Sequence, residues 1–276
     1  MPRGIGRRKI FEEMRLKRII LAVAALLCVL PSCKNQYEQL LNGNDVDAKY
    51  KAAFEFFNKG KFRKAAEVFE SMSVLTSGTP QEDTVQFYWA LSNYRDKDYY
   101  TAETNFKTFL DKFPRSPFSD DAEFLRLDCL YKSTLRWELD QSPTYNAIVA
   151  INEYQMNHPA SLHTAICKRM LEDLNERIDR KAYENAYLYY KMEDYKAARV
   201  AFHNVLKEDA ENVYREDILY YTAMSSYKYA LLSVPEKQKE RYMVFVDDYL
   251  NFIGEYPESN RCKELEHLYK KAKEKI

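Results

Sequence analysis

Phe106-Lys107-Thr108-Phe109-Leu110-Asp111-Lys112-Phe113-Pro114-Arg115-Ser116 is one of three stretches that close an apolar, helix-like segment with the same cadence. The others run from Ile151 to His158-Pro159-Ala160-Ser161 and from Tyr249 to Tyr256-Pro257-Glu258-Ser259. In each, apolar residues stand eight and five positions before the proline: Phe106 and Phe109, Ile151 and Tyr154, Tyr249 and Phe252. Residues three apart are neighbours on one helix face, and a proline pushes the residue before it out of the α region. One helical face is therefore reused, which predicts a stack of similar units, and such stacks present extended binding surfaces.

The chain has 276 residues, 46% of them apolar and 14% aromatic, enough to bury a sizeable core. It has only six glycines. So few, alongside Ala, Leu, Glu, Lys, Tyr and Phe at helical spacing, predict an all-α fold and disfavour a sheet-rich enzyme built on glycine loops.

The N-terminus reads as a processing segment. Met14-Arg15-Leu16-Lys17-Arg18 is basic, Ile19 to Leu30 is apolar but short for a membrane span, and Leu30-Pro31-Ser32-Cys33 follows. That ending resembles a bacterial lipobox, which implies cleavage before Cys33 and acyl chains on it. At about 0.8 kcal/mol per buried methylene, several chains hold a soluble domain at a membrane surface. Met14 is an alternative start, because residues 1–13 place Glu12 and Glu13 ahead of an otherwise complete signal. An uncleaved anchor helix is the competing reading. Seven of 42 basic and two of 42 acidic residues fall in residues 1–33, leaving 35 basic and 40 acidic in the remainder. That balance gives no reason to expect nucleic acid as a partner. Cys129, Cys167 and Cys262 are too few and too scattered for a disulfide framework or metal site, and the first two read as small buried thiols.

Ala53, Phe56, Gly60, Phe62, Ala65 and Phe69 resemble the tetratricopeptide repeat, with small residues where two helices cross, aromatics in the gaps and a glycine at the turn. The pattern returns as Ala90, Tyr99, Ala102, Phe106 and Pro114, with Lys97 at the turn, and as Ala186, Tyr195, Ala198, Phe202 and Ala210, without the proline. Equivalent positions at Phe62, Tyr99, Thr144, Tyr195 and Tyr242 are 37, 45, 51 and 47 residues apart. All exceed the roughly 34 of the standard unit, so longer helices and loops are expected, notably at Asp140-Gln141-Ser142-Pro143 and Ser233-Val234-Pro235. The expected organisation is a signal over 1–32, a lipidated cysteine and tether over 33–45, and a right-handed α-solenoid of about five helix pairs over 46–276. A generic helical bundle is the alternative.

No GxGxxG, P-loop, HExxH, GxSxG or CxxC pair occurs. The four histidines fall in different units, and His158 takes the place of Phe113 and Tyr256, which favours packing over metal binding. Asp120, Asp121 and Glu123 suit a helix N-terminus, with Ser119 expected as its cap. No enzyme, cofactor or metal is expected. The functional surface is expected on the first helices of the units: Tyr50, Phe54, Phe57 and Asn58, then Phe87, Leu91, Tyr94 and Arg95. Aromatic rings offer large contact area, and an arginine pairs a carboxylate bidentately. Such a groove suits an extended segment with aromatic side chains and a free C-terminus. At each aromatic position inter-repeat core is an equally open reading.

Further stretches carry a family resemblance. They are Ser32-Cys33 with Tyr37 and Leu40-Leu41; Phe113-Pro114-Arg115-Ser116-Pro117; Leu139-Asp140-Gln141 with Thr144 and Ala147-Ile148; Lys181-Ala182-Tyr183-Glu184; Leu188-Tyr189-Tyr190; Tyr214-Arg215-Glu216; and Arg241-Tyr242. In this order, behind a lipobox, they resemble the BamD family of tetratricopeptide lipoproteins of outer-membrane β-barrel assembly, in a Bacteroidetes-type form. The resemblance implies a non-enzymatic periplasmic adaptor anchored in the outer membrane through Cys33. It implies binding of the POTRA domains of a BamA-type insertase by the C-terminal units, and of unfolded outer-membrane barrel proteins by their C-terminal aromatic signal. Lys34 is not the aspartate that retains enteric lipoproteins at the inner membrane. A cell-envelope scaffold for a peptidoglycan-system or nutrient-uptake partner is the second reading, and a lipid-anchored hydrolase the third.

Overall fold

The computed structural model describes residues 36–276, and the regular secondary structure of these residues is helical, with no strand among them. Two compact units divide the chain, one ending at Ser133 and the other spanning Thr134–Ile276. The first holds α1 (Val46–Asn58), α2 (Phe62–Ser73), α3 (Glu82–Arg95), α4 (Tyr99–Lys112) and α5 (Ser119–Lys132). The second holds α6 (Ser142–Asn157), α7 (Thr164–Lys191), α8 (Tyr195–Glu208), α9 (Arg215–Leu231), α10 (Pro235–Glu255) and α11 (Cys262–Lys273). Within each unit a helix packs mainly on its sequence neighbours, the contact pattern of a repeat array.

The repeated face is buried where the spacing requires. Ala65, Phe69 and Met72 of α2, Ala102, Phe106 and Phe109 of α4, and Ala147, Ile151 and Tyr154 of α6 are all buried. So are Ala198, Phe202 and Val205 of α8 and Phe245, Tyr249 and Phe252 of α10. Ala53, Ala90 and Ala186, twelve residues before Ala65, Ala102 and Ala198, are fully buried like them. Alanine against alanine lets paired helices approach closely. Cys129 and Cys167 are buried small residues, and burial pushes the Cys129 thiol up to about 12.

The turns repeat too. At Gly60, Lys97 and Glu193, φ is 70°, 67° and 62°. The following N–H groups of Lys61, Asp98 and Asp194 reach back five residues to the carbonyls of Phe56, Asn93 and Tyr189 at 2.9, 3.0 and 3.0 Å. This is the Schellman arrangement, in which a left-handed residue satisfies helix-end carbonyls. Between pairs, the end residues Phe113, His158 and Tyr256 share φ of −125° to −127°. Ser116, Ser161 and Ser259 then accept a backbone N–H two residues on, at 3.3, 3.0 and 3.2 Å. Where the proline is lost, Asn212 Oδ1 does the same for Tyr214 N–H at 2.9 Å. The turn survives because asparagine, like serine, carries a short side-chain acceptor.

Several sequence expectations are revised. Ser119 does not cap α5; it lies inside the helix and donates to the Phe113 carbonyl at 2.9 Å, while Ser116 serves the turn. The extra length beyond a standard repeat goes largely into helices, α7 with 28 residues and α10 with 21, and the turn before Pro235 is short. A further helix, α11, covers the end of the last pair with buried Leu265 and Ala272. The expected tether is helical over 36–42, because Tyr37, Leu40 and Leu41 form an apolar face that packs on the first core. Lys49, 2% exposed, fastens that segment: its Nζ donates to the Leu41 carbonyl at 2.7 Å and to Ser71 Oγ and carbonyl at 2.9 and 3.2 Å. Burial lowers its pKa, and three acceptors offset the cost of enclosing the ammonium. Residues 1–35, with the signal and Cys33, lie outside the described residues.

Candidate functional site

The eight groove positions expected in the first unit have three different environments. Phe87 is 5% exposed and stacks on Phe118 at 4.6 Å, with Phe106 and Phe109 beside it, so its ring belongs to the packing of α3, α4 and α5. Tyr50, Phe54, Phe57, Leu91 and Tyr94 are half-buried. Asn58 and Arg95 are exposed at the ends of α1 and α3.

The structure gathers the α1 aromatics around a residue that the repeat register passes over, Tyr88. Phe54 lies edge-on to it at 4.7 Å and Phe57 at 5.3 Å, and Tyr50 meets Phe54 at 4.8 Å. Phe87-Tyr88-Trp89 offers three consecutive aromatics, so composition alone does not separate them. The 100° step of the helix does: Phe87 turns to α4 and α5, while Tyr88 and Trp89 reach the α1–α2 core. The edge-to-face contacts of Phe54 and Phe57 with Tyr88 suit the ring quadrupole, and all four residues, Tyr50 included, are half-buried. Burial, then the neighbouring Tyr88 and Asp83, raises the Tyr50 pKa.

Tyr94 anchors a polar counterpart. Its hydroxyl donates to Asp128 Oδ2 at 2.6 Å and accepts from Lys132 Nζ at 2.7 Å, and the ammonium sits 4.7 Å above the Tyr94 ring. Lys132 also pairs with Asp128 at 2.5 Å. Burial works to lower the lysine pKa, but its hydrogen bonds to Asp128 and Tyr94 outweigh it and hold the ammonium charged. Arg95, one residue on, forms no ion pair with any described residue. Half-buried aromatic rings, the Lys132 ammonium and the Arg95 guanidinium together form a set able to contact apolar side chains and a carboxylate. Lys132 and Tyr88 extend the expected set. A lysine four residues after an aspartate on α5 was the available signal for the former.

A sequence profile described as YfiO, outer membrane lipoprotein, matches residues 43–244, which run from α1 into α10. No curated protein matches the chain.

Proposed function

Because the chain belongs to the YfiO family of outer membrane lipoproteins, the BamD-type family, we propose that it is a non-enzymatic adaptor of outer-membrane β-barrel assembly. Cys33 is the acylated residue that anchors it at the periplasmic face of the outer membrane. Its C-terminal units bind the POTRA domains of a BamA-type insertase. The half-buried rings of α1 and α3, with Arg95 and Lys132, receive the C-terminal aromatic segment of an unfolded barrel protein. The observation that carries this reading is the family match across 43–244. The half-buried aromatic cluster around Tyr88 supports the substrate part.

Co-purification of a tagged chain in mild detergent tests the assembly role. Recovery of a BamA-type insertase is the expected outcome, and another stable envelope partner in its place would replace the reading. Cys33→Ser is expected to leave a folded protein that no longer fractionates with membranes; unchanged fractionation would remove the anchor assignment. For substrate contact, Phe57→Ala with Tyr94→Ala is expected to weaken binding of a peptide ending in phenylalanine by roughly tenfold or more. Arg95→Gln, at an exposed position, is expected to weaken it less without affecting folding. Equal affinity of folded variants and wild type would rule out this groove.

A further inference from the structure

A cavity of about 540 Å³ lies in the second unit where the start of α6, the middle of α7 and the end of α8 converge. Asp140, Asp179, Glu208 and Asp209 line it against a single ammonium, Lys181, whose Nζ is turned to the Leu139 carbonyl. Asp140 is already held by the backbone N–H and hydroxyl of Ser142, at 3.1 and 2.9 Å. Asp209 caps the Glu211 N–H at 3.0 Å.

Of the remaining groups, Asp179 lacks a cationic partner and Asn212 lacks an acceptor for its amide N–H among the described residues. Asp179 is only 7% exposed and accepts the Val213 N–H at 3.0 Å. It shares a side-chain hydrogen bond with Asp209, Asp209 and Glu176 act on it with like charge, and it forms no ion pair with any described residue. Burial and those neighbours raise its pKa. Asn212, 2% exposed, uses Oδ1 for the Tyr214 N–H and leaves Nδ2 without a hydrogen-bond partner. Ile178, Ala182 and Val205 form the apolar part of the wall, beside the half-exposed Tyr145 ring.

A buried carboxylate next to further carboxylates is costly unless they share a proton, as the Asp179–Asp209 hydrogen bond requires, or a cation joins them and displaces it. An apolar wall beside that charge asks for a cation on a hydrocarbon stem, and a spare amide N–H asks for a carbonyl. An arginine or lysine residue within a polypeptide supplies all three. Its stem would lie along Ile178 and Val205, its head among Asp179, Asp209 and Glu208, and a backbone carbonyl of the same segment would take the Asn212 Nδ2–H. The cavity lies within the range of ordinary ligand sites, roughly 300–1,000 Å³. We propose that this cavity is a docking site for a basic side chain, arginine above lysine, of a partner polypeptide. The planar guanidinium favours arginine because it meets two carboxylates at once. The inference does not depend on the assembly role proposed above.

The test uses the full mature chain, isotopically labelled, titrated with acetyl-Gly-Ala-Arg-Ala-Gly-amide and with the same peptide carrying neutral citrulline. Saturable shifts of the Tyr145, Ala182 and Asn212 amides are expected with the arginine peptide, and binding about tenfold weaker or more with citrulline. Glu208→Gln with Asp209→Asn, both at exposed positions, is expected to weaken the arginine peptide several-fold while the spectrum stays that of the folded chain. Asp179→Asn, the buried variant, is expected to weaken it further. Equal binding of the two peptides would overturn the proposal, as would no shift at these amides up to about 10 mM, beyond even weak complexes. Spermidine binding there as tightly as the arginine peptide would also overturn it, by making a free polyamine the ligand.

Discussion

In the first unit the packed rings are mostly phenylalanines: Phe54 on Phe69 at 5.2 Å, Phe57 on Phe62 at 5.4 Å, and Phe87 among Phe106, Phe109 and Phe118. In the second unit tyrosines take over. Tyr183 stacks on Tyr214 at 5.0 Å and on Tyr187 at 5.7 Å, with interplanar angles of 6° and 8°. Tyrosine hydroxyls in this unit reach carboxylates, Tyr214 to Glu176 at 2.6 Å and Tyr220 to Glu264 at 2.8 Å. Bidentate arginine pairs then tie helix to helix, Arg199 to Asp248 across α8 and α10 and Arg215 to Glu255 across α9 and α10. Phenylalanine packing is held by buried area and is indifferent to pH. Hydroxyl and guanidinium contacts have direction; the first unit has some, Tyr94 to Asp128 and Arg126 to Glu103, and in the second they join helices through bidentate pairs, adding a register that area alone does not supply.

The two tryptophans separate the units experimentally, since Trp89 lies in α3 and Trp137 precedes α6. Urea unfolding followed by one tryptophan, with the other replaced by phenylalanine, reads one unit at a time. The largest effect is expected from Phe106→Ala in the first unit. A fully buried ring is removed there, at a cost of about 3–5 kcal/mol, and a loss under about 1 kcal/mol would contradict an area-held core.

Asp248→Asn in the second unit is next, expected to cost about 2–3 kcal/mol at neutral pH because it breaks a largely buried, bidentate ion pair. Its pH dependence has a definite sign. Burial alone would raise the Asp248 pKa, but hydrogen bonds from His203 and Arg199 outweigh it and leave it below the ordinary aspartate value. The stabilisation is then fully present above the unfolded value of about 3.9 and lost as pH falls through the lower folded value. The gap between wild type and Asp248→Asn should close at acid pH, while the Phe106→Ala gap stays. A gap constant down to pH of about 2.5 would remove the ionic assignment.

Tyr220→Phe keeps the ring and removes the hydroxyl bound to Glu264, with an expected loss of about 1 kcal/mol. The smallest effect has the opposite sign. Lys97→Gly should stabilise the first unit by up to about 1 kcal/mol, since a left-handed non-glycine residue carries a steric cost of about 1–2 kcal/mol that glycine's larger unfolded-state entropy only partly offsets. Lys97→Ala should give no such gain. Equal stabilities of all three would show the turn unstrained.

Much of this was legible before any coordinates. The i, i+4, i+7 faces of α2, α4, α6, α8 and α10 follow from apolar spacing, and Gly60 marks a turn that Lys97 and Glu193 repeat. The site was less legible. Phe87 and Tyr88 are adjacent aromatics of similar size, and only the rotation of α3 against its neighbours sends one into the core and the other toward α1. Lys49 reads as a solvated charge, because the carbonyls that hold it come from positions 41 and 71. Asp179 and Asn212 come together through a backbone N–H at Val213 and a turn, neither of which has a side-chain pattern.

The sequence by itself determined an all-helical repeat protein with its buried faces, its turns and its family, because local spacing, helix stops and short polar caps act within a few residues of the chain. Tertiary structure alone decided which rings stay half-buried, where Lys49 is enclosed and how Asp179, Asp209 and Asn212 come to share one cavity. Those outcomes depend on which surfaces face each other across residues far apart in sequence, and no local periodicity encodes that.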